Sequence, residues 1–187
     1  FHPPRGQAGF GQPVCQPVPG LLRRIQEILL AADADVIVGG QGDDTIVGGG
    51  GDDVISAGAG DDIISVGAGN LSVDGGSGMD TLLVEEGGLF ALDPTGGSRI
   101  SGVETIESAS GADNTLVLSF DDLLDMTEVD NTLTILGDSG DTVNADLSGH
   151  TVKSEDHGAF TRYVIDGGVA VLDVDNEVQQ NITGDMS

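Results

Sequence analysis

Positive charge is what this chain most conspicuously lacks. Of 187 residues, 6 are Lys or Arg and 32 are Asp or Glu, giving a formal net charge of -26. No Lys or Arg stands between Arg24 and Arg99. Nucleic acid and anionic membrane surfaces are therefore poor partners, because both need a basic patch. Aromatic residues make up 3% and Trp is absent. That excludes an ordinary globular core; burial has to come from small branched residues stacked in a repeat. Cys15 is the only cysteine, so no internal disulfide forms, and it reads as an unpaired thiol or an intermolecular bridge. The longest apolar stretches are interrupted by charge, which excludes membrane insertion. The N-terminus shows neither an initiator Met nor a basic-then-apolar leader, so an export address is expected elsewhere. A compact body this acidic repels itself unless cations neutralise it.

Glycine, in contrast, is plentiful at 31 residues, and much of it is periodic. A nine-residue phrase runs in phase from Gly39 to Leu83. Its clearest copies are Gly39–Val47, Gly48–Ser56 and Ala57–Ser65. The sixth-position aspartates Asp44, Asp53 and Asp62 are nine apart, as are the eighth-position Ile46, Ile55 and Ile64. An earlier unit around Asp35 lacks the glycines. A fifth, Val66–Asp74, carries Leu71 where the aspartate belongs, and a sixth restores it at Asp80. The form G-G-x-G-x-D-x-U-x is the signature of a calcium-loaded parallel β-roll. Glycines supply positive φ and close backbone approach. The aspartate ends the turn with an anionic oxygen, and x-U-x is a minimal strand with U pointing inward. Two units make one turn of a flattened right-handed coil. Loops on one edge are then 18 residues apart in sequence and about 4.8 Å apart in space. Calcium, with six to eight oxygens at about 2.3–2.6 Å, suits such a gap better than magnesium does.

These units resemble the RTX family, the hemolysin-type calcium-binding repeats of secreted bacterial toxins, proteases, lipases and adhesins. The resemblance implies that each calcium takes position-2 and position-4 carbonyls and the Asp of one loop. The position-1 and position-3 carbonyls and the Asp of the next loop on that edge complete the shell. One ion is then expected among Gly40, Gly42, Asp44, Ala57, Ala59 and Asp62, and a second among Gly58, Gly60, Asp62, Gly75, Ser77 and Asp80. On the other edge Ala31, Asp33, Asp35, Gly48, Gly50 and Asp53 would hold a third. Beyond the repeats, Ile100–Ile106, Asp113–Met126 and Asp130–Val143 resemble the C-terminal end module of large type I-secreted adhesins and biofilm proteins of Gram-negative bacteria.

The chain is accordingly divided into a Pro/Gly-rich linker (1–19), an amphipathic capping helix (20–32), the calcium-binding β-roll (33–90), a small antiparallel β-module (91–175) and a poorly ordered tail (176–187). That tail is the expected place of a type I secretion signal. Within the module, strands are expected at Ser98–Ile106, Thr115–Leu118, Thr132–Leu136, Thr142–Ala145, Arg162–Ile165 and Val169–Val174. A helix over Phe120–Asp125 is capped by Ser119. Gly137-Asp138-Ser139-Gly140 imitates a protease nucleophile loop, but a tight turn is the better reading. His2, His150 and His157 share no zinc spacing and are read as exposed. Glu85-Glu86 and Asp121-Asp122 lack a cleft for acid–base work. Asp173, Asp175 and Glu177 are a candidate peripheral calcium cluster.

The reading is all-β and non-enzymatic: an extracellular, secreted calcium-binding module of an RTX adhesin or surface protein. It meets the type I secretion machinery transiently and has a cell-surface ligand or a second copy as a further partner. The alternatives are the non-catalytic C-terminal domain of a secreted protease or lipase, and a calcium-dependent surface-layer or filament subunit.

Overall fold

The computed structural model describes residues 27–29, 34–49, 51–66, 72–85, 88–91, 100–108, 111, 113–127 and 131–187. The repeats build short parallel strands that alternate between two sheets. β1 (Glu27–Leu29), β3 (Thr45–Val47), β5 (Ile63–Val66) and β7 (Thr81–Val84) lie side by side in one. β2 (Val36–Gln41), β4 (Val54–Ala59), β6 (Ser72–Ser77) and β9 (Ile100–Ser101) form the other. Register follows the 18-residue period, with Ile46 opposite Ile64 and Ile64 opposite Leu82. In the second sheet Ile37 is opposite Ile55, which is opposite Val73. Strand side chains alternate between faces, so these ladders are buried while Val36, Val38 and Val54 face outward.

The first ladder runs on past the last nonapeptide. Leu82 is opposite Ile106, Ile106 opposite Ile135 and Ile135 opposite Val174. These belong to β10 (Thr105–Ser108), β12 (Thr132–Leu136) and β15 (Ala170–Asp175). A second parallel row, β8 (Gly88–Ala91), β11 (Asn114–Ser119), β13 (Thr142–Asp156) and β16 (Gln179–Met186), accompanies it. β14 (Phe160–Ile165) pairs antiparallel with both β13 and β15, joining the two rows into one sheet.

Three expectations change. The segment after residue 91 is not simply antiparallel: among the described residues only β13–β14–β15 is, and the other described strands prolong the parallel coil with longer rungs. Side-chain patterning alone does not separate the two, because both alternate with period two. Within the expected capping helix, Glu27–Leu29 is a strand pairing with β3. Ile28 stands 18 residues before Ile46 and so falls in the repeat's own register; the remainder of that segment, like the linker and Cys15, lies outside the described residues. The tail is ordered as β16, docked on β13.

The helix α1 (Phe120–Met126) forms as expected. Ser119 caps it: its hydroxyl accepts the Asp122 N–H while the Asp122 carboxylate accepts the Ser119 N–H at 2.7 Å. Leu123 and Met126 are buried. α1 packs on β9, and the Met126 carbonyl accepts the Val103 N–H at 2.9 Å. A helix does cap a sheet here, at the end of the four-stranded one. Among the described residues no helix is long and apolar enough to cross a membrane.

Candidate metal centre

Three turns stack on one edge of the roll: 39–44, 57–62 and 75–80. Their second- and fourth-position glycines all have positive φ, Gly40, Gly58 and Gly76 at 122°, 123° and 94°, and Gly42, Gly60 and Gly78 at 100°, 134° and 144°. The turns approach so closely that a side chain is excluded. A Cβ on Gly58 would strike the Gly40 carbonyl oxygen, one on Gly76 the Gly58 oxygen, and one on Gly78 the Gly60 oxygen.

The same contacts locate the oxygens. In the first gap the Gly40 and Gly42 carbonyls face forward against Gly58 and Gly60. The Ala57 carbonyl faces back against Gly39, and the Ala59 carbonyl accepts the Gly42 N–H at 2.7 Å. Asp44 and Asp62 complete the wall. The structure thus brings together all six residues expected of the first site. In the second gap it places the Gly58 and Gly60 carbonyls, the Ser77 carbonyl (accepting the Gly60 N–H at 2.9 Å) and the carboxylates of Asp62 and Asp80; Gly75 is buried in the third turn.

The aspartates form a ladder. The Asp44 N–H donates to Asp62 Oδ1 at 2.7 Å, and the Asp62 N–H donates to Asp80 Oδ1 at 2.8 Å. Asp62 and Asp80 are each 0% exposed, yet the Oδ2 of each has no hydrogen-bond partner. Leaving a charged oxygen buried and unpartnered costs more than the 1–3 kcal/mol or so of a neutral group. Burial pushes the carboxyl of Asp62 up from its ordinary range and that of Asp80 up to about 7, against the lowering effect of the backbone hydrogen bonds they accept.

The second half of the chain provides an internal comparison. Its buried carboxylates are satisfied within the protein. Asp141 accepts the N–H groups of Asn114 and Asp138, each at 2.9 Å. Asp122 accepts from Ser119, and Asp173 is clamped by the Arg162 guanidinium at 2.8 and 2.6 Å. Partnerless carboxylate oxygens therefore belong to the glycine turns, where carbonyls gather and N–H donors do not. A hard cation fits that donor set. Among the described residues, no three His, Cys, Asp or Glu side chains converge on one point; carbonyls would supply most of a shell here.

On the opposite edge the Asp35 N–H donates to Asp53 Oδ1 at 3.0 Å, repeating the ladder once. Burial raises the Asp53 carboxyl as well. Gly48 lies beside Asp53, but the neighbour filling the space above it is the Ile55 side chain rather than a close carbonyl. Ala31, Asp33 and Gly50 lie outside the described residues. The peripheral cluster does not form: Asp173 is committed to Arg162, and the Asp175 carboxylate accepts the Glu177 N–H at 2.9 Å. Gly137–Asp141 is a tight turn closed by the Asp141 N–H on the Asp138 carbonyl at 3.0 Å. His150 is half-buried, stacked on Phe120 at 3.8 Å and 2.7 Å from Asp166, not free in solvent. Glu104, part of the Ile100–Ile106 motif but not among the expected metal ligands, joins the ladder: the Asp80 N–H donates to its carboxylate at 2.9 Å. The signal was its place just before Thr105, matching Asp80 before Thr81, masked by the irregular spacing of 24 residues.

Comparison with known proteins agrees with this geometry. The family model of the RTX calcium-binding nonapeptide repeat, which spans four copies, matches residues 31–64 and 51–82. No curated protein and no solved structure matches the chain. Within residues 31–82 the chain is therefore similar to the RTX calcium-binding nonapeptide repeats.

Proposed function

We propose that this chain is an extracellular structural module whose folding is coupled to calcium binding, part of an RTX adhesin or surface protein exported by type I secretion. One observation carries the reading: the partnerless, buried Oδ2 atoms of Asp62 and Asp80, in gaps walled by backbone carbonyls. Gly40, Gly42, Asp44, Ala57, Ala59 and Asp62 would hold one calcium. Gly58, Gly60, Asp62, Gly75, Ser77 and Asp80 would hold another, and the Asp35–Asp53 edge a third. The bound cation supplies positive charge where the chain has none of its own.

The rest follows from the residues. Like charges one strand spacing apart repel by about 3.5 kcal/mol at an effective dielectric constant near 20. A row of them opposes stacking, so the calcium-free roll stays open. That state suits passage through a narrow channel from a calcium-poor cytosol. Outside, at about 10⁻⁴–10⁻³ M affinities typical of extracellular modules, binding free energy becomes folding free energy. The module has no catalytic role in this reading; the acidic tail, without Lys or Arg after Arg162, fits a type I signal.

A calcium titration followed by far-ultraviolet circular dichroism tests the coupling. The expected result is a large, chelator-reversible gain of β signal. A chain fully folded in chelator, with no heat of calcium binding, would overturn it.

A further inference from the structure

We propose that the three residues Gly102, Val103 and Glu104 close the calcium row with one further cation slot, made with the 75–80 turn and lying outside the nonapeptides. This rests on the calcium-loaded reading of the roll.

Register sets the placement. β9 pairs with β6 at Val73–Ile100 and Asp74–Ser101, so Gly102 follows as the rung partner of Gly75. β10 pairs with β7 at Thr81–Thr105, which sets Glu104 opposite Asp80. Between these two anchors the nonapeptide's four intervening residues, 76–79, are replaced by Val103 alone. The loop is cut short, and a longer acidic side chain reaches across. Glu104 makes to Asp80 the bond that Asp80 makes to Asp62, at 2.9 and 2.8 Å.

The oxygens converge as in the first gap. The Gly102 carbonyl lies against Gly75 just as the Ala57 carbonyl lies against Gly39. A Cβ on Gly75 would also be 2.8 Å from Asp80 Oδ2, which makes this the position where both oxygens meet. The Gly76 backbone backs Gly102 from the other side, its nitrogen 2.6 Å and its carbonyl oxygen 2.9 Å from where a Gly102 Cβ would be. Asp80 Oδ2 is buried without a partner, and it points into this cradle. The short loop is held in place: Val103 is 0% exposed and its N–H is fixed on the Met126 carbonyl. Ser77, Gly78 and Met79 on the outer side are exposed. Four protein oxygens are fewer than calcium's six to eight, so water has to complete the shell. This slot should therefore be the weaker end of the row.

Glu104→Gln tests the slot without breaking the ladder, because the Gln carbonyl still accepts the Asp80 N–H. Calcium counted by native mass spectrometry and by calorimetry should fall by one ion, the weakest, with the other ions and the circular dichroism spectrum unchanged. Glu104→Asp, too short to span the gap, should lower affinity for that ion at least tenfold and recover it at higher calcium. Asp44→Asn is the parallel control. A wild-type chain that takes up no calcium removes the general reading together with this one. If Asp44→Asn loses an ion while Glu104→Gln keeps the full count and affinity, the general reading stands and the closing slot is refuted.

Discussion

Asp62 stands between two neighbours of its own kind: its Oδ1 accepts the Asp44 N–H, while its own N–H is donated to Asp80. It is thus a wall of two successive gaps, whereas Asp44 walls one of the two. The expected consequence is unequal. Asp62→Asn should remove or severely weaken two calcium ions and Asp44→Asn one, since Asn retains the ladder's acceptor but not the charge. Calorimetric stoichiometry decides; equal losses would contradict the shared-carboxylate arrangement.

Glycine at the second position answers to a neighbour as well as to φ. Gly58 has φ 123° and the Gly40 carbonyl where its Cβ would be; Gly111 has φ 91° and open space. Gly111→Ala should cost about 1 kcal/mol, the left-handed penalty alone. Gly58→Ala adds the collision and should cost about 2–4 kcal/mol. Urea midpoints in saturating calcium measure both, and similar losses would mean that the turns can spread apart at little cost.

The roll was legible because its two signals are local and in phase: Asp44, Asp62 and Asp80 mark one edge, and Ile46, Ile64 and Leu82 mark the ladder behind it. The ladder beyond them was not legible. Ile106, Ile135 and Val174 continue it at intervals of 24, 29 and 39 residues, and a period that changes at every step carries no periodic signal. Short alternating strands between turn signals read equally well as hairpins, hence the expected antiparallel module. Within the helical face over Leu21–Ala32, the strand Glu27–Leu29 was hidden for a related reason, since three residues are too few to show their own alternation. Glu104 was hidden because the loop that presents it is shortened. Burial of the Asp62 and Asp80 oxygens without partners is a tertiary fact that spacing does not contain.

Calcium dependence should stop partway along the chain. Asp62 and Asp80 of the roll lack internal partners for Oδ2, but Asp122, Asp141 and Asp173 have theirs. In chelator, hydrogen exchange should accelerate across residues 34–85 while 131–187 stay protected, with β10 as the boundary. Uniform loss of protection would show that the coil is one cooperative unit. Conversely, Arg162→Met strands the Asp173 carboxylate, which is only 7% exposed. It should cost about 3 kcal/mol and reduce protection in β14 and β15 even with calcium present.

Protons should substitute for calcium in part. Burial raises the carboxyls of Asp53 and Asp62 above the ordinary Asp value, and that of Asp80 to about 7, with Asp62 and Glu104 adding like-charge repulsion at Asp80. A folded-state pKa above the unfolded one means that folding takes up protons. That contribution is complete below the unfolded value near pH 4, and it is lost as pH rises through the folded value. In chelator the open roll should therefore regain part of its fold, and with it a rising thermal midpoint, as pH is lowered from about 8 to about 5. With saturating calcium the sign reverses, because ligation needs the deprotonated carboxylates and acid competes for them. The stabilisation conferred by calcium should shrink over the same interval from both directions. Differential scanning calorimetry in the two buffers measures it. A calcium-free midpoint that falls steadily on acidification would show that the buried carboxylates of Asp62 and Asp80 are charged and tolerated without any cation. The coupling of ion binding to folding would then lose its physical basis.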